Sequence, residues 1–188
     1  MVDEPVDQGG GVATDSTQGK IALWTAHAVF GVAGRTEERW YEIDPSAGTL
    51  FQSGAATSSS LFIWNGAISP DRANNGAAAG AFGDSMAMSV STSSTATYPA
   101  IQFVWKKGTS AQSALTNLVQ ATGPNVDFSC SATSACRWGD YSGASPDPAA
   151  TGTGSVGRVW LANQYNLAGG TTSSTAWRTW LFAVTPTG

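Results

Sequence analysis

The sequence predicts an all-β protein made of antiparallel, four-stranded units. Only 12% of the 188 residues are charged, about half the usual share, whereas the chain holds 22 glycines and 8 tryptophans. Short segments with period-two alternation are separated by turns rich in Gly, Pro and Asp, which is typical of strands in all-β folds. One element also occurs twice, as GAISPD at 66–71 and as GASPD at 143–147, which indicates a structural repeat.

The first part of the chain divides into a leader and three strands. Residues 1–19 are predicted to form a disordered or loosely attached leader, because they are polar and include a run of glycines. Residues 20–188 are predicted to form a single domain. Its first strand, 21–30, is apolar on both faces, as in a strand buried on both sides. The next two strands, 39–44 and 49–53, flank a Pro-Ser-Ala-Gly turn and so read as a hairpin.

The middle of the chain continues with three predicted strands and one ambiguous segment. The strand 61–69 has a glycine inside it, which indicates a β-bulge or a close backbone approach. The strand 85–91 alternates Met and Val with Ser and Ala, and the aromatic strand 100–106 follows it. Residues 115–120 fit either a short strand or a helical turn.

The last three predicted strands repeat this order, since 137–145 corresponds to 61–69, and 158–165 and 177–184 follow it. The strands therefore cycle through four types, as an antiparallel meander does. A β-propeller blade is a four-stranded meander of this kind, so the sequence predicts about two and a half propeller-type blades. Because a closed propeller has at least about four blades, we expect a partial propeller, or one that needs further blades or self-association to close the ring.

Bulk charge and cysteine content bear on the class of partner and the compartment. The formal net charge is −4 and no basic stripe is visible, so nucleic-acid binding is not predicted. No apolar run is long enough for a membrane span. Cys130 and Cys136 are close in sequence and His27 is the single histidine, so we predict a disulfide and no metal site; two unpaired thiols are the alternative. A disulfide implies an extracellular or cell-surface location, although residues 1–20 lack the features of a signal peptide.

The C-terminal part of the chain carries a family resemblance. Its motifs are RWGDYS at 137–142, SPDP at 145–148, VWLANQY at 159–165 and WRTW at 177–180. These motifs resemble secreted bacterial β-propeller proteins of the sialidase-like group, which is related to BNR or Asp-box repeats. The resemblance implies a secreted or cell-surface binding module, for glycans or cell-wall material. It is strongest over residues 136–182, and no intact Ser-x-Asp-x-Gly-x-Thr-Trp box is present.

Two alternative functions remain open from the sequence. One is a sialidase-like glycoside hydrolase, which would need an arginine cluster, a tyrosine nucleophile with a glutamate partner, and an acid/base aspartate. The arginines are scattered and the box is missing, so enzyme activity is not predicted, and neither is a cofactor. The other alternative is a structural fragment of a larger propeller with no activity alone.

Four residues form the candidate ligand site. Arg137, Asp140 and Tyr141 lie on a predicted innermost strand, and Asn65 lies on the earlier copy of that strand. Innermost strands of neighbouring blades converge, so we expect these side chains to meet at one mouth and to bind a sugar; an arginine also suits a carboxylate. The alternative is that Arg137 and Asp140 form a buried structural pair.

The tryptophans and two aspartates also have competing interpretations. The eight tryptophans fit either a sugar-stacking platform or the core between blades, and their place within strands favours the core. Trp160 and Trp180 are among those predicted to be buried. Asp71 and Asp147 with Asp140 supply carboxylates for hydrolysis. Because Asp71 and Asp147 each follow a proline at equivalent places in the repeat, we predict that these two aspartates cap turns.

Overall fold

The computed structural model describes residues 11–15, 20–31, 34–71, 85–131, 136–149, 157–174 and 176–187. Within these ranges the chain forms eleven strands and one short 3-10 helix. The elements in order are β1 (Gly11–Asp15), β2 (Lys20–Phe30), β3 (Thr36–Asp44), β4 (Thr49–Ala56), β5 (Phe62–Pro70), β6 (Met86–Ser93), β7 (Ala100–Lys106), β8 (Thr116–Gln120), the 3-10 helix Phe128–Ser131, β9 (Gly143–Pro146), β10 (Val159–Asn166) and β11 (Trp177–Val184). In this part of the chain no helix is long and apolar enough to cross a membrane.

The strands form three antiparallel sheets, each a simple meander. The first sheet has the order β1-β2-β3-β4, the second β5-β6-β7-β8, and the third β9-β10-β11. The prediction of an all-β, antiparallel fold is therefore confirmed, and the predicted strands occur in the predicted order, with β1 as an additional strand in the first sheet. The segment 115–120, which fitted a strand or a helical turn, contains the edge strand β8.

One strand lies where the sequence predicts a leader. The strand β1, Gly11–Asp15, is part of the segment 1–19 and pairs along its length with β2. A main-chain ladder needs no apolar side chains, so the polar composition of the segment does not prevent pairing. Residues 1–10 and 16–19 lie outside the described residues.

The three sheets pack face to face, with the second sheet in the middle. Met86, Met88 and Val90 of β6 join the core against the first sheet, where Trp24 and Trp40 are fully buried. The intervening Ala87 belongs to the other core, with Leu161 and Phe182 of the third sheet. Side chains alternate across a strand, so one apolar strand supplies two cores.

The repeated sequence element makes the same backbone contact twice, just beyond the end of its strand. The strands β5 and β9 end at Pro70 and Pro146. After them, the Asp71 N–H donates to the Ser85 carbonyl at 2.8 Å, and the Asp147 N–H donates to the Arg158 carbonyl at 2.9 Å. The Asp147 carboxylate also accepts the Ala149 N–H at 2.9 Å, which confirms the predicted turn cap there.

The glycine inside β5 marks a bulge. The pairing with β6 shifts between Trp64 and Ala67, and Asn65 has a φ of 55°, in the left-handed region. A Cβ on Gly66 would lie 2.4 Å from Cγ of Glu38 on the first sheet. Both a bulge and a close approach are therefore present, as the sequence indicates.

The prediction of a strand over residues 137–145 is wrong for the first half of that segment. The strand β9 begins only at Gly143, and the chain bends at Asp140. Arg137 and Asp140, three residues apart, form an ion pair. In a strand these two side chains would point to opposite faces, so the pair itself requires a bend.

Candidate functional site

A disulfide and two hydrogen bonds fix the start of the segment 136–142. Cys130 and Cys136 are bonded, with an S–S distance of 2.05 Å, as predicted. The Arg137 N–H donates to Oγ of Ser129 at 2.8 Å, and its carbonyl accepts from Nδ2 of Asn125 at 3.0 Å. The segment therefore leaves the disulfide with a defined backbone direction.

Trp138 holds the middle of this segment against the sheets. Its indole N–H donates to Oγ of Ser91 at 3.0 Å, and its ring contacts Trp64 edge to face with centroids 6.2 Å apart. Ser91 in turn donates to Oδ1 of the buried Asn163 at 3.1 Å. The inward position of Trp138 leaves its neighbours Arg137 and Asp140 facing outward.

Arg137 and Asp140 form an exposed ion pair. Nη2 of Arg137 lies 2.8 and 2.9 Å from the two carboxylate oxygens of Asp140. The two side chains are 73% and 58% exposed. The interpretation of this pair as a buried structural element is therefore wrong, and its carboxylate remains accessible to a ligand.

A depression lined by both polar and apolar groups lies beside this pair. Its volume is about 370 Å³, and it is lined by residues 139–143, by residues 162–164 of β10 and by Thr179 of β11. Tyr141, which is 82% exposed, forms part of the wall next to Asp140. A Cβ on Gly139 would lie 2.6 Å from Oε1 of Gln164, so the Gln164 amide packs directly against this glycine.

Asn65 does not take part in this depression. It is buried, and its side-chain amide lies 3.5 Å from Oδ1 of Asn163. Asn163 donates back to the Asn65 carbonyl at 3.3 Å. Of the four predicted site residues, the structure brings Arg137, Asp140 and Tyr141 together and places Asn65 in the polar network that supports them from beneath.

The outer face of the third sheet carries exposed aromatic residues. Val159 and Leu161 of β10 point into the core, so the alternate residue Trp160 points outward and is 38% exposed. Trp177 and Leu181 of β11 are 46% and 64% exposed on the same outer face. We use "outer face" below for the outward side of β9, β10 and β11.

The core prediction for the tryptophans holds in part. Trp24 and Trp40 are fully buried and stack with ring centroids 5.8 Å apart. For Trp160, Trp177 and Trp180 the prediction is wrong, because all three are exposed. Trp160 and Trp177 lie on the face of the third sheet that points away from the second sheet. Trp180 lies on the packed face, opposite the buried Asn163, but is still 42% exposed. A strand with large apolar residues on both faces does not reveal which face packs.

Sequence reasoning missed Gln164 and Thr179 in the lining, and the outward position of Trp177. Gln164 and Thr179 are directly opposite each other in the β10–β11 register. The alternation within 159–165 indicates the position of Gln164, because Trp160, Ala162 and Gln164 share one face of the strand. Among the described residues, no group of three or more His, Cys, Asp or Glu side chains is placed to hold a metal ion.

Comparisons of the chain with protein-family models, with curated proteins and with solved structures give no match. The function is therefore inferred from this chain's own residues.

Proposed function

We propose that the chain is a glycan-binding module of β-propeller type that acts outside the cell or at its surface. The observation that carries this proposal is the depression beside Asp140, with the exposed Tyr141 in its wall. A sugar presents C–H groups on the faces of its ring and hydroxyls around the ring edge. An exposed aromatic ring can stack on the C–H groups, and the neighbouring carboxylate, amide and hydroxyl can form hydrogen bonds with the sugar hydroxyls.

The polar groups of the depression suit sugar hydroxyls. The Asp140 carboxylate is held by Arg137, and a carboxylate offers about four acceptor sites, so sites remain for a ligand. Gln164 supplies an amide that both donates and accepts, and Thr179 supplies a hydroxyl. Holding the carboxylate in one orientation before binding lowers the entropic cost of association.

The propeller-type arrangement is supported by the repeat. Each sheet is a meander of three or four strands, and the residues after β5 and β9, Asp71 and Asp147, make equivalent backbone hydrogen bonds. The sheets also pack face to face around two separate cores, as consecutive blades do. The extracellular location is supported by the Cys130–Cys136 disulfide, because such bonds persist in oxidising compartments.

Binding is favoured over hydrolysis by the placement of the carboxylates. Glycoside hydrolysis uses two carboxyl groups that flank one bond. Among the residues that line the depression, Asp140 is the single acid. Asp71 and Asp147 are buried, and each directly follows the last residue of a strand.

A glycan array with the purified chain tests the proposal. We expect binding by the parent chain and its loss in Tyr141→Ala and Gln164→Ala. Tyr98→Ala, which removes an exposed tyrosine far along the chain, is the matched control and should bind normally. No signal from any glycan with the parent chain, or equal signals from all variants, would refute it.

A further inference from the structure

We infer that the ligand is an uncharged, linear oligosaccharide that lies along the outer face between Trp160 and Trp177. This inference rests on the proposed function and specifies its ligand class. Three observations carry it: the positions of the two tryptophans, the relief of the surface between them, and the charges that surround it.

The register sets the distance between the two tryptophans. Trp160 pairs with Ala183, and Trp177 pairs with Asn166. Positions 160 and 166 of one extended strand are about 20 Å apart, at roughly 3.3 Å per residue. A single sugar ring is far shorter than this, so one monosaccharide cannot contact both indoles, whereas a linear chain can.

The surface between the tryptophans has small residues on two of its three strands and is partly polar. Gly143 pairs with Ala162, and both are small; Ala162 also pairs with Leu181, which is 64% exposed on the β11 side. The next row contains Gln164 and Thr179, which line the depression. A chain seated here would meet an aromatic ring at each end and polar groups in the middle.

The charges around the face exclude an acidic sugar. Within the described lining, Asp140 is the single charged side chain, and the nearby Arg137 is already engaged with it. Arg158 pairs with Asp147 at 2.6 Å, and Arg178 falls between Trp177 and Thr179, on the opposite side of β11. A ligand carboxylate would therefore lose its hydration without gaining a free cation.

Contacts at separated points make affinity depend on ligand length. A two-unit sugar contacts the depression or one indole, whereas a longer chain contacts the depression and both indoles. The longer chain adds stacking area for little further loss of translational freedom. A six-unit chain should therefore bind at least tenfold more tightly than a two-unit chain of the same sugar.

Titration calorimetry with cello- and chito-oligosaccharides of two and six units tests the inference, with hexagalacturonate as the acidic counterpart. We expect one of the two neutral hexamers to bind, its dimer to bind at least tenfold more weakly, and hexagalacturonate not to bind. Trp160→Ala and Trp177→Ala should each weaken hexamer binding about tenfold and reduce the advantage of hexamer over dimer. Phe30→Ala, which removes an exposed ring from the first sheet, should leave binding unchanged. Thermal melts of each variant check that it is folded.

Several outcomes would overturn the inference while leaving glycan binding intact. These are equal affinity for dimer and hexamer, tighter binding of hexagalacturonate, or hexamer binding that neither tryptophan variant affects. A concentration-dependent dimer in sedimentation analysis that is abolished by Trp177→Ala would also overturn it, because the outer face would then be a contact between copies. Absence of binding to every glycan in the array refutes the proposed function itself, so the two failures are distinguishable.

Discussion

The Arg137 guanidinium reaches both carboxylate oxygens of Asp140 through one nitrogen, at 2.8 and 2.9 Å, on the surface of the molecule. Exposed ion pairs contribute about 0–1 kcal/mol to stability. Arg137→Ala should therefore change the free energy of unfolding by less than about 1 kcal/mol in a denaturant titration. Glycan binding should fall severalfold, because the carboxylate loses its fixed orientation. A loss of several kcal/mol would show that the pair is structural.

A buried and an exposed tryptophan should differ sharply in their effect on stability. Trp40 is fully buried, and its indole N–H donates to Oε1 of Gln112 at 2.6 Å. Trp40→Ala should cost roughly 3–5 kcal/mol, the range for removing a buried large aromatic. Trp177→Ala removes a half-exposed ring and should cost roughly 1 kcal/mol. Denaturant melts of both variants make the comparison, and similar losses would contradict the assignment of the outer face.

The pH dependence of stability should contain a contribution from Glu38. Burial raises the pKa of Glu38 from 4.5 to about 7, and the nearby Gly66 N–H offsets this only in part. Neither carboxylate oxygen has a hydrogen-bond partner of normal geometry among the described residues. The folded state therefore holds the proton at a pH where the unfolded state has lost it, so the free energy of unfolding falls as pH rises from about 4.5 to 7.

The size of this contribution can be isolated with Glu38→Gln. Above pH 7 the variant should be more stable than the parent, by on the order of 3 kcal/mol for a shift of this size. Near pH 4.5 the penalty is absent in the parent, so this advantage should disappear. Denaturant melts at pH 5 and pH 8 provide the measurement, and a difference that is the same at both values would rule out titration of Glu38.

The meander of strands was predictable from the sequence because its signals are local. The alternation of Met86, Met88 and Val90 with smaller residues defines β6, and the Ser-Pro-Asp repeat fixes where β5 and β9 end. The Gly66 bulge was also predictable, since a glycine inside a strand usually marks a bulge or a close approach of another group to the backbone. None of these features depends on which sheet packs against which.

The candidate site was predictable only in part, because its geometry depends on packing. The cluster of Arg137, Asp140 and Tyr141 is local in sequence, so the sequence predicts it. The outward position of Trp160 depends on which face of the third sheet packs against the second sheet, which no local pattern encodes. The inward position of Asn65 follows from its pairing with Asn163, a residue 98 positions away.

The buried network around Asn163 should couple the stability of the fold to the shape of the site. Asn163 accepts from Ser91 at 3.1 Å and donates to the Asn65 carbonyl at 3.3 Å, while Trp138 of the site segment bonds to the same Ser91. Asn163→Ala leaves these buried groups without their partner, at a cost of about 1–3 kcal/mol. It should also weaken glycan binding, because the anchor beneath Trp138 is disturbed. The neighbouring Gln164 also borders the depression, but it lies on the opposite face of β10 and outside the buried network.

Gln164→Ala is therefore the matched comparison for Asn163→Ala. It should weaken glycan binding while lowering the free energy of unfolding by less than about 0.5 kcal/mol, as for a substitution outside the core. Denaturant melts and calorimetry on both variants, one residue apart on opposite faces of β10, separate the two roles. If Asn163→Ala were as stable as the parent chain, the network would not anchor the site. If Gln164→Ala lost as much stability as Asn163→Ala, the Gln164 side chain would stabilise the fold, and weaker glycan binding by this variant would not show a contact with the ligand.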